Sequence, residues 1–337
     1  MTPERFDTIT SRYPGLRMAV IGDFCLDRYF DIDPTRQERS IETGLAVHNV
    51  TRVRCQPGAA GTILNNLVAL GIGTLFPVGF CGDDGEGWSL RRSLSQLAGV
   101  RLDSFVTTPD RNTFTYSKPL IHHPDRPPEE LGRLDQKNWT CTPPSLGHQL
   151  ADSVLRLADE VDGSIVMDQV DLVGTGAVTT EVIGALAERA RSDPNTLILA
   201  DSRRGLGGWP PLVFKMNAAE LAVLAGRPLS SLEDIRKACV ALARSSGRPT
   251  FVTLSERGIL GATASGDSAH VPSLPIQGPI DIVGAGDAVS ANLTSALAAG
   301  ASAVEAMEIA MAAAHIVIHQ LGTTGTASVP EIRSLVL

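Results

Sequence analysis

The clearest hydrophobic pattern opens at Arg17, where Met18 to Ile21 form an unbroken apolar run closed by Gly22 and Asp23. Such a run predicts a strand buried on both faces, with polar groups at its carboxyl end. Residues 28–57 then mix charges with an alternating stretch from Gly44 to Arg54, the pattern of half-exposed strands that can cover a site. From Ala60 to Leu70, apolar Ala60, Ile63, Leu64, Leu67, Val68 and Leu70 recur at helical spacing, and Gly71 supplies the stop. A strand at 74–79, a helix at 86–97 and a second, partly polar β segment at 111–122 follow. Residues 123–146 are Pro-rich and charged, and predict a surface excursion.

The second half alternates regularly. Helices are expected at 147–159, 180–191, 219–225 and 232–245, interleaved with strands at 164–168, 196–201, 213–217 and 250–254. A hairpin near 259–273 precedes two last helices, 287–299 and 302–321. This alternation predicts an α/β fold, a three-layer α/β/α sandwich on a mainly parallel sheet with right-handed crossovers. Without internal repeats or a linker, one domain over 1–337 is expected, with a small β lid from about 28–57 and 111–122.

Composition narrows the function. Lys plus Arg number 29 against 37 Asp plus Glu, a net charge of −8, which argues against a broad nucleic-acid or anionic-membrane surface. Aromatic residues make up 4% of the chain, too few for stacking platforms on single strands. The five cysteines are scattered and never spaced C-x-x-C, which points away from disulfides and zinc; the expected compartment is the cytoplasm. No apolar run is long enough to span a membrane, and the first residues lack the core of a signal peptide. Any polyanion would have to bind at a local site.

The strongest local candidate is the small-residue turn from Asp281 through Gly284, Ala285 and Gly286 to Asp287, which runs straight into a helix. Its glycines let backbone N–H groups turn inward, and the helix dipole favours negative charge there. Asp287 in the first turn is either an N-terminal cap or a base for a hydroxyl attacking phosphorus. Asn217 and Glu220, one turn apart at another helix start, suit magnesium-bound water and phosphate, or equally a capping box. Neither a Walker A sequence nor a protein-kinase catalytic loop is present. Several other residues have plainer readings. His315 and His319 are expected to pack as a pair on their helix, Cys25 to be buried, His122 and His123 to sit in a solvated loop, and Trp88 and Trp139 to pack.

Taken in order, Gly22-Asp23, Pro57-Gly58 to Ala60, Val78-Gly79 with Gly82 to Asp84, Asn217 to Glu220, Thr253 to Gly258 and Asp281 to Asp287 resemble the ribokinase-like (phosphofructokinase-B type) carbohydrate kinases. The likeness covers roughly 17–330. Gly22 to Tyr29, Arg133 to Asp135 and the run after Asp287 make it most similar to the heptose-phosphate kinase domain of the bifunctional ADP-heptose synthesis enzymes. The resemblance implies ATP-dependent transfer to a hydroxyl of a sugar or sugar phosphate, with a heptose 7-phosphate as the leading acceptor. It makes Asp287 the base and Gly284, Ala285 and Gly286 the anion hole. Asp23, Asp27, Gly58 and Asn66 would serve the acceptor. Asn217, Glu220, Thr253, Ser255, Gly258, Asp281, Gly322 and Gly325 would serve ATP, with Mg²⁺ near Glu220 and, through water, Asn217. A monovalent cation and a homodimer built through the lid are further expectations of the family.

Four features depart from the family pattern, one of them Asp168-Gln-Val-Asp171, which stands where the heptose kinases have an Asp-Tyr-Gly-Lys type stretch. Ala59 stands for a second glycine and Thr62 for an asparagine in the sugar-site turn, and Asp201-Ser-Arg-Arg204 stands for an Asp-Pro-Lys stretch, leaving Arg203 or Arg204 to supply a fork to phosphate. A nucleoside kinase, which would want aromatic walls for a base, and a non-catalytic sugar or nucleotide sensor are the alternatives.

Overall fold

The computed structural model describes residues 1–123 and 125–336; Pro124, inside the Pro-rich excursion, and Leu337 lie outside the described residues. Arg17–Gly22 is the third strand from one edge of a nine-stranded sheet. On one side of it come Gly163–Asp168, Ile198–Ser202, Val213–Asn217 and Thr250–Thr253, all parallel, then the antiparallel pair Ile259–Ala262 and Ser268–Val271. On the other side Thr74–Gly82 and Phe105–Thr108 continue it in parallel. Alternate residues of the first strand explain its apolar run: Met18 and Val20 enter one core, Ala19 and Ile21 the other. Helices Ala60–Ala69, Ala285–Ala298 and Ala303–Ile318 close the first face, and Pro144–Leu157, Thr180–Ser192 and Leu232–Ser246 the second. Both faces are covered, as a parallel sheet requires.

The chain turns at Gly22 into a smaller sheet. Gly22 has φ +144°, and a Cβ there would collide with the Met167 carbonyl, so the position takes no other residue without strain. Phe24–Ile32 pairs antiparallel with Val50–Ala59 and parallel with Phe114–Ile121, which pairs with Leu134–Gln136 and Glu129–Glu130. This sheet stands over the carboxyl ends of the main strands, beside the point where the strand order reverses between Arg17–Gly22 and Gly163–Asp168. Crevices of doubly wound sheets form at such points.

Some expectations need correction. Part of the 123–146 excursion is sheet, because Glu129–Glu130 and Leu134–Gln136 find partners on Phe114–Ile121 that local composition does not reveal. The helices Pro3–Thr10 and Val329–Val336 and the strand Phe105–Thr108 have too short a pattern to stand out in the sequence. Trp88 and Trp139 do not pack into the core: they are 63% and 73% exposed, and the Arg92 guanidinium lies over the Trp88 ring at 5.2 Å. His315 and His319 do pack together, ring centroids 4.5 Å apart, and among the described residues no third group joins them as a metal ligand. No helix among the described residues is long and apolar enough to cross a membrane.

Candidate active site

Two cavities meet at the first turn of the Ala285–Ala298 helix. Ala285 and Gly286 face one of about 470 Å³, while Gly284 and Asp287 face the other, of about 240 Å³. The turn is therefore a shared wall. Gly284 takes the left-handed conformation at φ +85°, which starts the helix without a side-chain cap. The first-turn N–H groups have no carbonyl within the helix to bond. Ala285 spends its N–H on the Ile282 carbonyl at 3.2 Å, so the expected donor at 285 is taken up by the turn itself.

The larger cavity is mostly apolar. Leu274, Ile276, Ile280, Ile282, Val289 and Met311 line it, with Thr253, Ser255 and Gly258 at one edge as expected from the sequence. The isoleucines come from an exposed segment, Ile282 being 73% exposed, and an apolar run on a loop was the overlooked signal. Asp281 turns away to accept from the Val283 N–H at 3.0 Å and lines neither cavity. Gly322 and Gly325 line neither cavity too; Gly325 packs on Gln320 and, through its carbonyl, on Asn66. Asn217 and Glu220 form a reciprocal capping box, Asn217 N–H to Glu220 Oε2 at 2.8 Å and Glu220 N–H to Asn217 Oδ1 at 2.9 Å. Burial raises the Glu220 carboxyl against the pull of its hydrogen bonds from Asn217, and neither residue lines either cavity.

The smaller cavity is polar and crowded with charge. Lys118, Arg133, Lys137 and Arg203 line it against Asp27, Asp171 and Asp287. Most are already engaged: Arg133 donates to Asp135 at 2.6 Å, Lys137 to Asp171 at 3.0 Å, and Lys118 lies 5.0 Å from the centre of the Tyr29 ring. Burial pushes the Asp287 carboxyl up to about 7; Lys215 opposes this, while Asp201 and Asp27 add to it. Burial likewise raises Asp27, against the pull of Lys118 and Arg133. Gly58 is small for a reason, since a Cβ there would stand 2.5 Å from Asp27 Oδ2. Cys25 is buried as expected but also lines this cavity, its thiol pushed up by burial and by Asp27 and Asp287.

Other expected acceptor residues lie elsewhere. Asp23 is 3% exposed beneath the cavity, and its carboxylate accepts from the N–H groups of Gln169, Val170 and Ala177 at 2.8, 3.1 and 2.7 Å. It holds the 169–177 loop, which carries Gln169 and Asp171 to the cavity wall. Asn66 is fully buried and donates to the carbonyls of Thr62 and Gly325, joining its helix to the 320–326 loop. Arg204 is not free for a ligand: its Nη2 reaches both oxygens of buried Asp168, at 2.9 and 2.7 Å. Of these two neighbours it is Arg203 that reaches the cavity, 3.6 Å from Asp171.

Residues 210–330 match the model of the pfkB family carbohydrate kinases. The chain is 28% identical over 324 residues to the bifunctional protein HldE of Gluconacetobacter diazotrophicus, covering 95% of this chain and 63% of that protein. The HldE of Shewanella baltica is 29% identical over 328 residues, covering 95% and 64%. The chain thus spans a little under two thirds of the length of these relatives. In fold it is similar to phosphofructokinase-2 from Escherichia coli, solved with substrates and products, at a TM-score of 0.71 and 18% identity over 95% of this chain and 98% of that one. The same enzyme solved with potassium gives a TM-score of 0.70 and 20% identity over the same shares. The segment that matches the pfkB family carbohydrate kinase model, residues 210–330, holds the turn between the two cavities.

Proposed function

We propose that this chain is an ATP-dependent kinase of a phosphorylated sugar, with a heptose 7-phosphate as the first acceptor to test. The observation that carries it is the shared wall: Ala285 and Gly286 face an apolar cavity suited to a nucleotide, Gly284 and Asp287 a polar one suited to a sugar. In this reading the γ-phosphoryl group crosses at the helix N-terminus, where the dipole and the N–H groups of Gly284 and Gly286 favour its charge. Asp287 takes the proton of the attacking hydroxyl. Asp27 orients the acceptor, since a carboxylate can accept from two hydroxyls.

The four cationic side chains of the acceptor cavity support an acceptor that is itself an anion. Tyr116 is its one aromatic wall among the described residues, which disfavours a nucleoside base. Mg²⁺ would be held beside Glu220, whose carboxylate is the hard-oxygen ligand such a cation takes, and a cation that keeps several waters needs few protein ligands. When bound it neutralises charge on the transferring phosphates. The lid reading rests on the smaller sheet, which stands over the acceptor cavity through Asp27, Tyr116 and Lys118 and would exclude water from the transfer. Its exposed Val50, Val53 and Leu134 support a second copy seated there, to be checked by light scattering.

A panel of sugars and sugar phosphates with Mg-ATP, in potassium buffer, tests the reading. Phosphorylation of a sugar phosphate supports it. ATP binding without turnover on any acceptor would leave a sensor instead.

A further inference from the structure

Beneath the first turn of the Ala285–Ala298 helix lies a buried ion pair between residues 14 apart in the chain. Lys215, on the strand Val213–Asn217, donates from Nζ to Asp201 Oδ2 at 2.5 Å, with side chains 8% and 11% exposed. Ser290, one turn further along the helix, donates from Oγ to the same oxygen at 3.2 Å. The ammonium abuts Gly286 so closely that a Cβ at 286 would stand 3.2 Å from Nζ. Glycine at this position thus admits the lysine as well as freeing the turn. Burial works against the lysine's charge, but Asp201, Asp287 and Glu220 outweigh it and raise its pKa. The lysine therefore keeps its positive charge.

Stability is a weak reason for such a pair, because well-packed apolar side chains of similar volume would serve as well. Its position suggests a use. A fixed positive charge under the turn adds to the positive end of the helix dipole, at the wall between the two cavities. Charge of that kind, held in place before the reaction, needs no reorganisation when negative charge develops above it.

We propose that Lys215, held by Asp201 and Ser290, is a positioning residue for phosphoryl transfer, acting through the Gly284–Asp287 turn on the charge of the transferring group. The inference rests on the sugar-kinase reading. In that reaction the bond from the γ-phosphorus to ADP breaks and one to the acceptor oxygen forms. The hydroxyl proton goes to Asp287, and ADP leaves with the electron pair.

The test uses the full chain with Mg-ATP and the sugar phosphate that the panel identifies. Lys215→Met is expected to lower kcat by about tenfold or more while both KM values move less than about threefold, the pattern of an interaction made in the transition state. Because that variant leaves Asp201 buried and unpaired, the double variant Lys215→Met/Asp201→Asn removes both charges together; it should melt near the wild type and keep the low kcat. Ser290→Ala, which leaves no charge unpaired, should lower kcat by a smaller factor with both KM values unmoved. Wild-type kcat in the double variant, or in a folded Lys215→Met, overturns the inference. A wild-type chain that phosphorylates nothing overturns the kinase reading instead, and this inference with it.

Discussion

Asp27 and Asp287 line one cavity, and the charge on Asp27 helps to keep a proton on Asp287. Burial contributes most, Lys215 opposes it, and the Asp287 carboxyl is pushed up to about 7. In the proposed reaction Asp287 is the base and must be deprotonated to act, so kcat/KM should rise with pH through about 7 and level off above it. Asp27→Asn removes a like charge and should move this limb to lower pH, whatever it does to acceptor KM. A wild-type limb near the ordinary carboxylate value of 3.8 would separate Asp287 from the proton transfer.

On the proposed reading Asp287→Asn should abolish turnover and leave ATP affinity within about twofold, because the carboxylate faces the smaller, polar cavity and not the larger, apolar one. It should also stabilise the fold. With its folded-state value raised from 3.8 to about 7, Asp287 makes the native state bind more protons than the unfolded chain across that window. Stability is then lost as pH rises from about 4 to 7. The variant escapes that loss, so its Tm should exceed the wild type's above pH 7, with the difference vanishing below about pH 4. Calorimetry at two pH values checks the sign.

Ala59 holds φ +53° and ψ −117° at the start of the Ala60–Ala69 helix, a conformation made for glycine. The family pattern has a second glycine here, and the alanine has kept its backbone shape. Ala59→Gly should relieve roughly 1–2 kcal/mol of strain, part of it offset by the greater freedom of glycine in the unfolded chain. A lower Tm would show that the helix start is not strained.

Arg133→Ala should raise KM for a phosphorylated acceptor by about tenfold or more, through loss of a charge-assisted contact, and leave KM for ATP unmoved. The unphosphorylated sugar should lose little. Equal losses on both would place the acceptor phosphate away from Arg133, and Lys118→Met would then be the next variant.

What the sequence determined by itself is what depends on near neighbours. The apolar run of 17–22, the helical spacing of 60–70 and the glycine turn before Asp287 each lie within a turn or two of chain, and each is found where it was read. The capping box at Asn217 and Glu220 is equally local, although spacing left it open beside a metal role. Tertiary structure alone decided the partners of charged groups. Asp168 and Ser202 are register neighbours on adjacent strands, so Arg204 falls on a carboxylate 36 residues away instead of on a ligand. Lys215 meets Asp201 across the next strand pair, and Asp23 is spent on a loop more than a hundred residues on. A carboxylate or an ammonium carries no local mark of its partner. Sheet register brings the partner, and burial then makes the pairing obligatory, because an unpaired charge costs too much in the interior.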